Sequence, residues 1–324
     1  MRCLRSLCLV AFASLLLLTT GVRAGPYPTR SIRIVVPYAP GGNSDLIARI
    51  LAVRMSESLG QSVVVENRPG ASGIIGSEVV ARAEPDGYTL LLISSGNLTT
   101  NPTLFTKLPY DTVRDFSPIS NVAYTSYVLS VNPSLQVKSV KELIDLAKAS
   151  PGSLDAAIPG IGAGGHLALE LFTSMSGAEF TQVVYKGAGP AMTDTIAGTT
   201  KVIMDALPTS LENVRGGVIR ALAQSGTQRS PLLPDVPTMA EAGLPGYEAM
   251  VYNALLGPAG LPRDIVLKLQ AEVTKAGLTA VVRQRFAELG LTMTASTPEE
   301  LADFIKVETV KWAKIIRETN IKIQ

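Results

Sequence analysis

The chain has 324 residues, room for about two domains. Hydrophobic residues make up 46% and charged residues 17%, which suits a large buried core and excludes a disordered chain. A net charge of +2 and 5% aromatics leave neither the basic face nor the stacking rings of a nucleic-acid binder. There is one histidine, His166, and the two cysteines, Cys3 and Cys8, stand within the first ten residues. A cysteine-rich zinc site and a Cys/His nucleophile pair in the body of the chain are thereby excluded.

The N-terminus reads as a secretory signal peptide over 1–24. Arg2 and Arg5 precede the apolar run Leu7–Leu18, and Val22-Arg23-Ala24 fits a small-x-Ala cleavage site. The run is shorter than the ~20 residues that span a bilayer. Leu7-Cys8-Leu9 lacks the small residue usual before a lipidated cysteine. Cleavage after Ala24 removes Arg2, Arg5 and Arg23 and takes the net charge from +2 to −1. It also removes both cysteines, so an exported product beginning at Gly25 relies on its core alone.

Strands and helices then alternate. Ser31–Val36 reads as a strand ended by Pro37, and Ser44–Leu59 as a helix with apolar residues at Leu46, Ile47, Ile50, Leu51, Met55 and Leu59. Val63–Val65 is the next strand, followed by the loop Glu66–Ser72 and a helix running to Ala83. Pro85-Asp86-Gly87 is a turn before the strand Tyr88–Ile93. This βαβαβ order predicts a mainly parallel sheet with helices on both faces. The rhythm restarts with a strand Tyr127–Val131 and a helix Val140–Ala149, whose Ser139 and Glu142 form a capping box. Strands follow at Leu154–Ile158, Gln182–Tyr185, Lys201–Met204 and Val218–Ala223, with helices at His166–Met175 and Pro190–Ala197. Ser230 to Gly246 is proline-rich and aperiodic. The end is helical, over Arg263–Thr274 and from Thr297-Pro298-Glu299 onward, where Trp312 falls in the core stripe.

Two strand-to-helix loops stand out, Pro37 to Asp45 and Ile158 to His166. Their glycines allow close backbone approach, and the free N–H groups of the first helical turn favour an anion. Two such loops facing across an interdomain cleft would hold a small anion from both sides. The second loop also spells Gly160-x-Gly162-x-x-Gly165, the dinucleotide pattern, with Glu179 near the expected acid. That acid precedes Phe180-Thr181 and the strand instead of ending it, so no cofactor is expected. No Gly-x-Ser-x-Gly elbow is present, and Ser174 and Ser176 lie too far along the helix of His166 to be its nucleophile. His166 is read as a cap or ligand donor, and the carboxylates show no metal-binding spacing.

The motifs carry a resemblance. They include Tyr27-Pro28-x-Arg30, Pro37-x-Ala39-Pro40-Gly41-Gly42-x-x-Asp45, Val64-Val65-Glu66-Asn67-Arg68-Pro69-Gly70 and Pro85-Asp86-Gly87-Tyr88-Thr89-Leu90. Tyr185-Lys186-Gly187, Leu233-Pro234-Asp235-Val236-Pro237-Thr238 and Thr297-Pro298-Glu299-Glu300 follow. In order over Tyr27–Gln324, they resemble the Bug-type extracytoplasmic solute receptors of tripartite tricarboxylate transporters.

The resemblance implies an α/β Venus-flytrap receptor of the periplasm. Lobe 1 would be 25–124 with 251–324, and lobe 2 would be 125–250. A small organic acid is the expected ligand, and the membrane subunits of such a transporter are the expected partners of a monomer that is not an enzyme. The implied ligand-binding residues are Tyr38, Ala39, Gly41, Gly42, Asn43, Asp45, Ser95, Gly160, Gly162, Gly164, Gly165, His166, Lys186 and Asp205. Gly42 and Gly165 are expected to face the ligand, with Gly165 outside the core. Asn43 stands where a small hydroxyl residue is common, and Gly164-Gly165 where Gly-Ser is common. Ile158-Pro159 and Thr199-Thr200 also depart from the usual pattern. A sensor subunit for a membrane histidine kinase and an exported hydrolase using His166 are the competing functions.

Overall fold

A computed structural model describes residues 27–318. The signal peptide expected over 1–24 and its cleavage site lie outside the described residues.

Two mixed sheets share one long strand. In the first, β1 (Ile32–Val36) lies parallel between β2 (Val63–Asn67) and β3 (Thr89–Ser94). The central strand β9 (Met250–Pro258) runs antiparallel to β3, β4 (Phe116–Val131) runs antiparallel to β9, and the short β10 (Thr292–Met293) closes the edge. The far end of β4 enters the second sheet between β7 (Val202–Ala206) and β8 (Arg220–Gln224), antiparallel to both. There, β5 (Asp155–Ile158) joins β7 and β6 (Thr181–Val184) in parallel. The parallel part is the βαβ series read from the sequence. Each sheet is nevertheless mixed rather than mainly parallel, because β9 enters the first sheet, and β4 the second, against its neighbours.

Helices cover both faces of each sheet, as period-2 burial dictates. Ile32, Ile34 and Val36 face α1 (Asn43–Leu59), α8 (Arg263–Leu278) and α9 (Ala280–Leu289). Val35 faces the opposite layer of α2 (Ile74–Ala81), α3 (Ser95–Leu104) and α10 (Pro298–Glu318). In the second sheet Tyr127, Leu129 and Val131 face α4 (Val140–Ala149) and α5 (Gly164–Ser176). The other face carries α6 (Ala188–Ala197) and α7 (Leu207–Arg215).

Several elements have no counterpart in the sequence reading. α3 contains Gly96 and Pro102 and is buried from Ser95 through Asn101, so it shows no amphipathic period. Packing holds it, and the Thr99 and Thr100 hydroxyls bond back to the carbonyls of Ser95 and Gly96 at 2.8 Å each. β9 is buried on both faces, so it shows no alternation, and Asn253 interrupts its apolar run. β4 begins eleven residues before Tyr127, with register shifts after Pro118 and Asn121 that hide its alternation. The aperiodic stretch after β8 is tied down by Gln224, which donates to the carbonyls of Leu233 and Val236 and accepts from Ser230 N–H. Trp312 packs in the core. With Ile316 it buries against Leu167 of α5, so α10 reaches from the first lobe onto the second.

Candidate functional site

The site grows from strand ends. Five strand-to-helix junctions converge: β1 to α1, β3 to α3, β5 to α5, β6 to α6 and β7 to α7. Their N-cap residues, Gly42, Ser94, Ala163, Gly187 and Ala206, all line one cavity of about 60 Å³ between the lobes. None of the five helices has a side-chain cap. The leading N–H groups of each (Pro208 in α7 supplies none) have neither an intrahelical partner nor a capping side chain, and five positive dipole ends meet at one place. In open α/β folds ligands sit at this carboxyl edge of the parallel strands.

Of the residues anticipated from the sequence, Tyr38, Gly42, Asn43, Asp45, Gly164, Gly165 and Asp205 line this cavity. Gly160 and Lys186 line a neighbouring cleft of about 350 Å³, which shares Tyr38, Asn97 and Pro159 with the first. Ala39, Gly41, Ser95, Gly162 and His166 border neither. Each of these five has a structural task. Ala39 N–H donates to Lys186 O at 3.0 Å, joining the lobes. Ser95 Oγ accepts from Tyr252 N–H at 3.3 Å. Gly41, at φ 87°, donates its N–H to Asp45 Oδ2 at 3.1 Å, so that amide is not free for a ligand. Gly162 donates its N–H to His166 Nδ1 at 2.9 Å. His166 is 2% exposed and its Nε2 lies 3.5 Å from Glu170 Oε1. With Nδ1 occupied as an acceptor, the ring proton sits on Nε2, and the imidazole braces the loop.

Asp45 is a second brace. Arg49 Nε and Asn67 Nδ2 both reach its carboxylate at 3.0 Å. Burial pushes its carboxyl up, but donation from Arg49, Gly41 and Asn67 outweighs that and holds it below the usual carboxylate range. Asp205 differs. It is 4% exposed and burial pushes its carboxyl up to about 6, with Thr209 and the Ala206 backbone only partly offsetting. The Thr209 hydroxyl donates to Oδ2 at 2.5 Å. No lysine, arginine or histidine lines the cavity among the described residues.

The glycines of the second loop serve close approach. A Cβ on Gly164 would run into the Tyr127 hydroxyl, and one on Gly165 into the carbonyl oxygen of Met204. Gly165 borders the cavity but is buried and its Cβ would meet the Met204 carbonyl of β7, so it belongs to the α5–β7 packing, contrary to the expectation that it lies outside the core. Gly42 meets only Ala188 Cβ, at 3.6 Å. Ser44, Ser94, Asn97, Tyr127, Ala188 and Val251 also line the cavity and escaped the sequence reading. Pro208 near the start of α7 was the one local signal for the β7–α7 junction.

The lobes touch around this cavity. Thr100 Oγ1 donates to Gly162 O at 3.0 Å, and Asn97 Nδ2 donates to Ile161 O at 3.4 Å. A Cβ on Gly96 would sit 2.5 Å from Gly164 N, so α3 and α5 meet backbone to backbone.

A two-lobed α/β fold with strand-end helix termini facing an interlobe cavity defines a binding protein of the periplasmic solute-receptor class. The family model for the tripartite tricarboxylate transporter family receptor matches residues 47–321, and the chain belongs to that family. Protein BugT of Bordetella pertussis is 39% identical over 98% of both chains. An R. palustris protein solved with adipate is 36% identical, with a TM-score of 0.89 over 91% of this chain and 99% of its own. MatC from Rhodopseudomonas palustris, with bound malate, is 31% identical, with a TM-score of 0.87 over 90% of this chain and 100% of its own.

Proposed function

We propose that this protein is a periplasmic receptor that captures a small organic acid between its lobes and hands it to membrane subunits of a tripartite tricarboxylate transporter. The observation that carries the reading is the convergence of five uncapped helix N-termini on one interlobe cavity. Oriented N–H groups recognise a carboxylate without a cationic side chain. The family and the adipate- and malate-bound relatives support the ligand class. The ligand contacts are assigned to the cavity-lining subset, Tyr38, Gly42, Asn43, Gly164 and Asp205, joined by Ser94, Asn97 and Tyr127.

The lobes divide where β4 passes from the first sheet into the second, and where the chain returns into β9 from Ala249, whose N–H donates to Ser225 O. Ser126 still pairs with Met250, while Tyr127 already pairs with Ala206. That supports lobe 1 as 25–124 with 251–324, lobe 2 as 125–250, and a hinge in the two crossings. The protein returns its ligand unchanged: His166, the histidine a hydrolase would need, is committed to Gly162 and Glu170.

A thermal-shift screen of mono-, di- and tricarboxylates against their neutral amides tests the reading. An acid at a hundred times its dissociation constant adds about 2.7 kcal/mol of stability. Equal shifts with the amides refute the carboxylate assignment.

A further inference from the structure

Apart from Asp205, the one acid in the cavity wall, Asp45, is already neutralised by Arg49. Asp205 has no such partner. From α7 it receives the Thr209 hydroxyl, and from β4 the neutral Tyr127 ring lies close enough to feel its charge. From α5, His166 is turned away toward Gly162 and Glu170. From the first lobe the titratable groups on the cavity are Tyr38 and Asp45. An acid ligand entering this space brings a negative charge beside a buried carboxyl with no side-chain cation between them. Two carboxylates in such surroundings do not both stay ionised. Asn43 points the same way. It is 8% exposed, and neither Oδ1 nor Nδ2 has a partner. Its Nδ2 can donate to a carboxylate, but its Oδ1 needs a donor, which a fully ionised acid does not possess.

We propose that Asp205 makes ligand capture proton-coupled: each acid is bound together with one proton from solvent, which Asp205 and the ligand carboxylate share. This rests on the carboxylate-receptor reading and adds its protonation stoichiometry. The proton adds to the Asp205 carboxylate as the ligand enters and returns to solvent when the ligand leaves. Burial already holds the free carboxyl at about 6, so the neighbouring anion shifts it further up across neutral pH. Above the free-state value, binding then weakens tenfold for each pH unit, since one proton is a co-ligand.

The test is calorimetric titration of the exported protein with adipate, malate and succinate between pH 6.5 and 8.5, in buffers of different ionisation enthalpy. Wild type should take up close to one proton per acid at pH 7.5 and lose about tenfold in affinity per pH unit. Asp205→Asn, whose amide cannot ionise, should take up none and bind with the same affinity throughout. Wild-type affinity that is flat or tightens with rising pH, with no proton uptake, overturns the proposal and leaves the receptor reading standing. If none of the three acids binds at any pH, both fall. Should the variant fail to melt cooperatively, the wild-type proton count still decides.

Discussion

Gly96 sits where the lobes come closest, and replacing it with alanine separates closure from folding. The new Cβ would lie 2.5 Å from Gly164 N and 2.8 Å from Gly164 Cα. Ordinary contact is about 3.5–4.0 Å, so α5 must retreat by about 1 Å relative to α3. Both neighbours are backbone and have no rotamer to escape into. Overpacking of this size costs about 1–3 kcal/mol. The cost falls only on the state in which the lobes touch, because Gly96 and Gly164 belong to different lobes. Within α3 itself, alanine is the better helix former by about 1 kcal/mol. Gly96→Ala should therefore melt no lower than wild type without ligand, yet bind an acid about 5- to 150-fold more weakly. Calorimetric affinity and a thermal melt on the same preparation check both halves. Wild-type affinity, or a lowered melting point without ligand, would refute lobe closure onto Gly164 as part of binding.

Gly165→Ala places a methyl against the Met204 carbonyl inside the second lobe, so it should lower the melting point of the ligand-free protein, by the same 1–3 kcal/mol of overpacking, where Gly96→Ala does not. Asp205→Asn should show a pH-dependent gain in stability. The folded carboxyl titrates near 6 against about 3.9 in the unfolded chain, so wild type loses stability as pH rises from about 4 to 6 and then levels off. The variant's advantage should accordingly widen by up to about 3 kcal/mol between pH 4 and 7 in urea titrations. An advantage that is constant or shrinks with rising pH contradicts a buried Asp205 without a cationic partner.

What the sequence disclosed follows from where each element's apolar face points. α4 has one wet and one dry face and a side-chain cap, and Val140–Ala149 with its Ser139 cap is the same in sequence reading and structure. α3 has no wet face, and its threonines, Gly96 and Pro102 speak against a helix that burial nevertheless stabilises. The two glycine loops were visible because glycine marks the strand-to-helix turn. The remaining cavity walls were less so. Ser94 and Ala206 are ordinary residues, and only the topology, which brings the carboxyl ends of β1, β3, β5, β6 and β7 to one cavity, makes them part of a site. Spacing within a loop also does not reveal which way a glycine's missing side chain would point. Gly42 faces open contact with Ala188, whereas Gly165 faces the backbone of β7.

The distribution of helix caps argues that the cavity is built to be completed by an anion. Of the five helices that start away from the cavity, α4, α9 and α10 carry side-chain caps from Ser139, Thr279 and Thr297, while α2 and α8, which follow Gly73 and Pro262, do not. The five helices that start on it have none, and even the Ser94 hydroxyl, at the N-cap of α3, does not cap. A serine or threonine cap is worth about 1 kcal/mol, so the ligand-free fold forgoes that at each terminus and leaves the donors to the ligand. Gly42→Ser tests this, since the position has room: its Cβ would meet only Ala188 Cβ at 3.6 Å. The new hydroxyl should accept from the first-turn amides of α1 and raise the stability of the free protein by a few tenths of a kcal/mol, about the difference between serine and glycine at an N-cap. It should also withdraw one of those donors from the ligand carboxylate. A hydrogen bond to a charged group is worth about 1.5–3 kcal/mol, so acid affinity should fall by about ten- to 150-fold while the melting point holds or rises. A variant that binds acids as tightly as wild type would show that the α1 terminus does not hold the ligand.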